Sequence, residues 1–404
     1  MGGRSFTMPL AGRLADLQTA MGQARLSVRI RNMLGVEEDP NIKVGINGFG
    51  RLGRMLACAL HEADGIDLVA INDPFVDAEY MAYMLEHDSA PNGFRGTAKG
   101  DANNGVLLLD GRPVTVFSCK DPATIEWFST GALYVIEASG HFTSGASAAG
   151  HREGGTQHII MAAPCTDCVE LVAGVNHERY AGEAIVSAGS PCTQCLAYLL
   201  MVLEGACEIA HASVNVLQAC SAVELEHVSP GPSGAQSSDW RSSMQGSVDI
   251  IPTAVSAISS VRQILPKLAS RLGGAGFRVP AATRPGASCV DMTLLLRGPT
   301  GLSHIRSAMR AAASEQPLCG RLGYRDDDVS AADFADDSRS VIFDAHASMQ
   351  QGAHLVKLIA WYPHEWAYCR RIVELLYHMQ AVDYGAPGAA APAAESEEPT
   401  GDAI

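Results

Sequence analysis

IKVGINGFGRLGR, residues 42–54, decides how the first half of the chain folds. Ile42 to Ile46 is a short β-rich run, and the glycines that follow lead into an apolar helical pattern from Leu52 to Leu60. Strand, glycine turn and helix in that order form the start of a dinucleotide-binding unit. Gly48 permits the tight turn, Gly50 lets backbone approach a pyrophosphate, and Gly53 lets helix and strand pack closely. Amides at the start of such a helix face phosphates. The GxGxxG spacing alone is weak, but Asp73 follows Gly53 by twenty residues at the end of the apolar run Leu68–Ile71. A carboxylate there accepts hydrogen bonds from a ribose. The plainer alternative is that the glycines serve only the turn and Asp73 only caps.

Working outward, 404 residues with 47% hydrophobic content are enough for two domains with their own cores. The net charge of −15 and a pI near 5.3 argue against nucleic acid or an anionic membrane as the general partner. No run is long and apolar enough to insert in a membrane. Eleven cysteines without a secretory leader point to reduced thiols in a reducing compartment. Residues 1–41 carry Arg4, Arg13, Arg25, Arg29 and Arg31 with only Asp16 as an acid before Glu37. This arm reads either as an organellar targeting extension or as an exposed arm docking on a neighbour, so the location is cytoplasmic or organellar (mitochondrion or plastid). Residues 384–404 are Ala, Pro, Gly and acid, and read as a disordered tail.

The opening stretch, Asn72-Asp73-Pro74-Phe75, YVIEASGHFT (134–143), AGVNHERY (173–180), Phe277-Arg278-Val279-Pro280, Ala332-Asp333-Phe334 and HLVKLIAWY (354–362) together resemble the glyceraldehyde-3-phosphate dehydrogenase family, in the family's order, from residue 42 to about 380. The resemblance implies an α/β protein. A Rossmann NAD-binding domain would span 42–189, and an α+β catalytic-type domain with an antiparallel sheet 190–355. A C-terminal helical segment, 356–383, would return to the first domain. It also implies a homo-oligomer or a place in a larger assembly, and NAD held by Asn47, Gly48, Phe49, Gly50, Arg51, Leu52, Gly53, Asp73, Pro74, Ser139, Gly140, Phe142 and Thr143. On the nicotinamide side the family's asparagine is replaced by His364 within Trp361–Tyr368, so contacts to the adenosine half survive better. Arg278 stands where the family binds substrate phosphate; a pairing with a neighbouring carboxylate is its plainer role.

Three departures bear on activity. SAGSPCTQCLAY (187–198) aligns with the family's nucleophile segment so that Pro191 takes the cysteine's place, with Cys192 one position late. In the strand that carries the family's base, Ser213-Val214-Asn215-Val216 puts Asn215 at the histidine. The element that holds inorganic phosphate becomes Ala254-Val255-Ser256, and its preceding arginine becomes Met244. About five additional residues are expected between Asn215 and Gly231.

Cys165-Thr166-Asp167-Cys168 and Cys192-Thr193-Gln194-Cys195 are two CxxC pairs. Four thiolates at that spacing would suit zinc, a Cys192–Cys195 redox pair at a helix start would favour thiolate, and small buried hydrophobes are the plain alternative. The expectation is a catalytically inactive family member, kept as an NAD-binding or structural subunit. The alternative is an active NAD-dependent glyceraldehyde-3-phosphate dehydrogenase, or a related aldehyde dehydrogenase, with Cys192 as its nucleophile.

Overall fold

The computed structural model describes residues 41–87, 93–221, 250–281 and 287–384. The N-terminal arm, the C-terminal tail, the expected insertion before Gly231 and Met244 therefore lie outside the described residues.

Nine strands build the first sheet. They are β1 (Ile42–Asn47), β2 (Ile66–Asn72), β3 (Ala98–Asp101), β4 (Val106–Leu109), β5 (Arg112–Phe117), β6 (Tyr134–Glu137), β7 (His158–Met161), β8 (Val169–Glu170) and β9 (Ile185–Ser187). Their order is β3-β4-β5-β2-β1-β6-β7-β9-β8, parallel except at the β3-β4-β5 edge. β1 is buried almost throughout, as a strand covered on both faces must be. Helices α1 (Arg51–His61), α2 (Ala78–Glu86), α3 (Trp127–Thr130) and α4 (Gly145–Ala148) follow or precede these strands. β1 lies between β2 and β6, and the register sets Asn47 level with both Asn72 and Glu137. Three polar side chains thus meet at the carboxyl ends of three strands, where doubly wound sheets bind ligands.

The second domain opens with α5 (Pro191–Ala206), whose buried face and apolar body seat it in the second core. Seven strands follow: β10 (Ile209–Ser221), β11 (Ile251–Thr253), β12 (Leu272–Ala281), β13 (Ser288–Leu296), β14 (Leu322–Arg325), β15 (Val341–Gln351) and β16 (Leu355–Tyr362). Their order is β11-β12-β10-β13-β16-β15-β14. The expected antiparallel sheet is in fact mixed, because β10 with β12 and β14 with β15 run parallel. The return from β10 to β12 passes through α6 (Ser256–Ile264), the crossover that parallel neighbours require. One face of the sheet packs against α5, α6 and α7 (Leu302–Ser314), through Val214, Val216, Met292, Leu294 and Leu358. The opposite face leaves Leu217, Leu295, Met349 and Leu355 exposed.

Residues 356–362 were assigned above to the returning helix, and this is corrected. They form β16 inside the second sheet, with Val356, Leu358, Ala360 and Tyr362 buried at the two-residue period of a strand. Only α8 (Trp366–Tyr384) returns, and Tyr368, Ile372, Leu376 and Met379 complete the core of the first sheet. Among the described residues no helix is long and apolar enough to cross a membrane.

Candidate functional site

The glycine turn after β1 assigns each glycine a separate task. Gly48 has φ +95°, in the left-handed region, and a Cβ there would come within 2.6 Å of the Ser139 Cα. A Cβ on Gly53 would overlap the carbonyl oxygen of Gly48, so helix and turn touch backbone to backbone. A Cβ on Gly50 would meet nothing within 4 Å, so space beyond the turn is open at that point. Gly50 is also the N-cap of α1 and supplies no side-chain cap, which leaves the first-turn amides to an outside acceptor. Asp73 closes the other side: Oδ2 accepts the Phe49 N–H at 2.8 Å and Oδ1 accepts the Phe75 N–H at 2.9 Å. Each oxygen keeps a lone pair for a ribose hydroxyl. The residues fit a bound dinucleotide.

Two residues expected to line that site are turned inward. Phe49 is wholly buried in the core, and only its N–H serves the turn. Asn47 is 3% exposed, donates to Glu137 Oε2 at 2.6 Å and accepts from Asn72 Nδ2 at 2.7 Å. Glu137 also receives His151 Nε2 at 2.8 Å and the Ser139 N–H at 2.8 Å. The Trp127 indole N–H points at His151 Nδ1 at 3.2 Å, so Nδ1 accepts and the proton sits on Nε2. Trp127, His151, Glu137, Asn47 and Asn72 thus form a buried polar chain beneath the glycine turn. Ser139, Gly140 and Thr143 lie exposed above it, with Phe142 half-buried and edge-on to His151 and Pro74 half-buried beside Asp73. Arg51 pairs with Glu365 at 3.1 Å, joining the start of α1 to the segment before α8; Leu52 packs partly into the core.

At the second centre, Ser190 caps α5 by accepting the Thr193 N–H at 3.1 Å, and Pro191 is the first helical residue. A proline belongs at that position because its missing N–H is not needed there. Cys192 is second in the helix and half-buried beside Tyr362 and Cys195. Burial pushes its thiol up to about 12, outweighing the hydrogen bond from Tyr362. The thiolate expected from the helix dipole is thereby corrected: desolvation wins over a partial charge.

Asn215 is also corrected as the residue at the base position. Val214 and Val216 point into the core with α5, so Asn215 projects from the other face, level with Asp291, which pairs with Lys357 at 2.8 Å. The residue on the α5 side at that end of β10 is Gln218. Leu217 pairs with Cys289, which sets Gln218 level with Ser288, and the Ala219 N–H donates to Ser288 Oγ at 3.0 Å. Ser288 in turn meets His364 Nε2 at 2.8 Å and is level with Tyr362. Gln218 also pairs with Arg278 on β12, whose half-buried side chain has no carboxylate partner among the described residues. Val255 precedes α6 and gives no side-chain cap, and the one hydroxyl of Ala254-Val255-Ser256 belongs to Ser256, the first residue of the helix.

The two CxxC pairs do not converge. Cys165 and Cys168 are joined as a disulfide, which corrects the expectation of reduced thiols throughout, while Cys192 and Cys195 are unbridged. Among the described residues no three His, Cys, Asp or Glu side chains gather as a metal site. A buried acid lies beside this disulfide. Glu170, 4% exposed, accepts the Cys165 N–H at 2.7 Å through Oε1, while its buried Oε2 has no hydrogen-bond partner among the described residues. Burial raises its carboxyl above the usual range despite contacts from Ser260, Cys165 and Ser187. An acid inside the apolar run Val169–Val172 was the available signal.

Comparisons with known proteins agree with this geometry. The model of the glyceraldehyde 3-phosphate dehydrogenase NAD binding domain matches residues 42–145, and that of the C-terminal domain matches 190–364. Glyceraldehyde-3-phosphate dehydrogenase 1 of Schizosaccharomyces pombe is 41% identical over 342 residues, covering 84% of this chain and 98% of that protein. The Danio rerio enzyme is 40% identical over 339 residues, covering 84% and 98%. A chloroplastic glyceraldehyde-3-phosphate dehydrogenase of Arabidopsis thaliana is 41% identical over 341 residues, covering 84% and 78%.

Proposed function

The chain belongs to the glyceraldehyde-3-phosphate dehydrogenase family and has its NAD-binding domain, and from that premise we propose that it binds NAD without carrying out the family's phosphorylating oxidation. The observation that carries this reading is Pro191 at the first position of α5, with Ser190 capping the helix and no break before Cys195. An unbroken helix gives Cys192 a different bearing from the residue before it, about 100° around the axis. Its thiol is raised to about 12 by burial, and Gln218, on the α5 side of β10, is an amide that takes no proton near neutral pH. NAD, when bound, supplies the hydride acceptor. With a neutral thiol at Cys192 and an amide at Gln218, α5 and β10 supply neither the thiolate that would form the thiohemiacetal nor the base that would take its proton.

What remains is a dinucleotide site with its glycine turn and Asp73, and an exposed apolar sheet face carrying Leu217, Leu295, Met349 and Leu355. That face supports a role as a subunit, in a homo-oligomer or a larger assembly. The compartment, cytoplasmic or organellar, rests on what residues 1–41 do. The reading is tested by incubating the purified chain with glyceraldehyde-3-phosphate, inorganic phosphate and NAD and following absorbance at the nicotinamide band. No rate above background is expected, in the wild type or in Cys192→Ser. Turnover in the wild type that disappears in Cys192→Ser would restore the active enzyme and identify its thiol.

A further inference from the structure

The disulfide between Cys165 and Cys168 stands beside the dinucleotide cleft. The carboxylate of Asp167, between the two cysteines, accepts the Gly145 N–H at 2.8 Å through Oδ1 and the Ala146 N–H at 3.1 Å through Oδ2. Those amides begin α4, two residues after Thr143. Cys165, Cys168, Phe142 and Ala148 share one apolar cluster, and a Cβ on Gly145 would lie 3.5 Å from the Cys168 Cβ. On its other side the loop is held by the Cys165 N–H on Glu170, whose strand neighbour is Ser187 in the segment leading to α5. The disulfide loop therefore grips the Phe142–Ala146 wall of the cofactor cleft. Cys168 is half-buried and Cys165 buried, so an incoming thiolate reaches Cys168 first.

We propose that Cys165 and Cys168 form a thiol–disulfide exchange site for a dithiol reductant, and that opening the bond loosens the Phe142–Ala146 wall and weakens NAD binding. The proposal rests on the reading that this chain binds NAD. In the exchange, one thiolate of the reductant attacks Cys168 Sγ, the Sγ–Sγ bond breaks, and Cys165 leaves with the electron pair and takes a proton. The second thiolate of the reductant then attacks its own sulfur in the mixed disulfide and releases Cys168, which is protonated in turn. The reductant ends as a disulfide and the protein has gained two electrons and two protons. Cys165 Sγ lies 3.1 Å from Asp167 Oδ1, the oxygen that holds the Gly145 N–H. In the disulfide this sulfur has no proton to donate. After reduction its S–H competes with Gly145 for that oxygen, and the tether between the cysteines is gone.

Protein purified without reductant and mildly oxidised with glutathione disulfide should give a Cys165–Cys168 linked peptide by mass spectrometry. Calorimetry with NAD is then run on this form and on the form reduced with dithiothreitol. Kd should rise roughly fivefold or more on reduction. Asp167→Ala should bind NAD at the weaker level even when oxidised. The double variant Cys165→Ser with Cys168→Ser should bind at the weaker level under both conditions. Equal affinity in the two forms, or thiols that refuse to pair under oxidation, would overturn the proposal. Absence of NAD binding in both forms would instead overturn the dinucleotide reading on which it stands.

Discussion

Cys192 is the residue through which an active enzyme would have to work, so its reactivity is the sharpest test. With its thiol at about 12, the thiolate fraction at pH 7.5 is about 3 in 100,000, against about 9 in 100 for an ordinary cysteine at 8.5. The ratio is about 3,000. A more basic thiolate is a better nucleophile, and over about 3.5 pH units a Brønsted slope near 0.45 returns roughly fortyfold. Alkylation of Cys192 by iodoacetamide should therefore run on the order of 100 times slower than in an unstructured peptide at the same pH. Its rate should also keep climbing about tenfold per pH unit up to pH 11, because a raised thiol is neutral below its pKa. The assay is peptide mapping after timed alkylation, which reads Cys192 apart from Cys195, Cys289 and the rest. A rate equal to that of the free peptide, or a plateau above pH 8, would refute the argument that burial governs this thiol and would favour a hidden base.

Asp73→Ala removes an acceptor for ribose hydroxyls and should weaken NAD and ADP-ribose alike by about 1–3 kcal/mol in calorimetry; a loss confined to NAD would contradict the assignment. ADP-ribose itself should bind nearly as well as NAD, since His364 stands at the nicotinamide side hydrogen-bonded to Ser288. Gly53→Ala places a methyl against the Gly48 carbonyl and should cost about 1–3 kcal/mol, seen as a thermal midpoint lower by about 2–4 °C per kcal/mol. For Glu170 the folded pKa lies above its usual 4.5, so the folded state holds the proton more tightly. Its stability contribution is complete below about 4.5 and is lost as pH rises through the raised value. Glu170→Gln should therefore raise the midpoint at pH 8 more than at pH 5, and an equal change at both would show that burial does not burden this acid.

The elements that local pattern governs were legible. Gly48, Gly50 and Gly53 announced three different backbone demands: Gly48 abuts Ser139, Gly53 abuts the Gly48 carbonyl, and Gly50 opens onto space. The base position was misread because a strand sorts its side chains by parity. An offset of three residues carries a side chain from the α5 face to the opposite one, so Asn215 and Gln218 look alike in a row of letters but lie on opposite sides of β10. The fate of 356–362 turned on the same period, since LVKLIAWY alternates as a strand and was taken with the helix after it. The chain from Trp127 through His151 and Glu137 to Asn47 and Asn72 was beyond reading, because its bonded members come from separate strands and loops, Asn47 and Glu137 being 90 residues apart. The neighbour of Arg278 was hidden for a related reason, since it is the sheet order that brings Gln218 of β10 level with it.

The place of α8 has a consequence for how the molecule comes into being. Tyr368 donates to the Gly189 carbonyl at 2.8 Å, and Ile372, Leu376 and Met379 lie in one core with Leu56, Leu60 and Ile136. Of the two domains, the one made earlier is thus finished later, because the helix that completes its core is encoded after both sheets. Until residue 379 emerges, the core around Leu56 and Leu60 lacks Ile372, Leu376 and Met379, while the second sheet already has every one of its described strands. A nascent chain of this protein must keep its N-terminal half soluble through the synthesis of its C-terminal half, and a premature stop before Trp366 releases an open hydrophobic layer for chaperones and proteases to find.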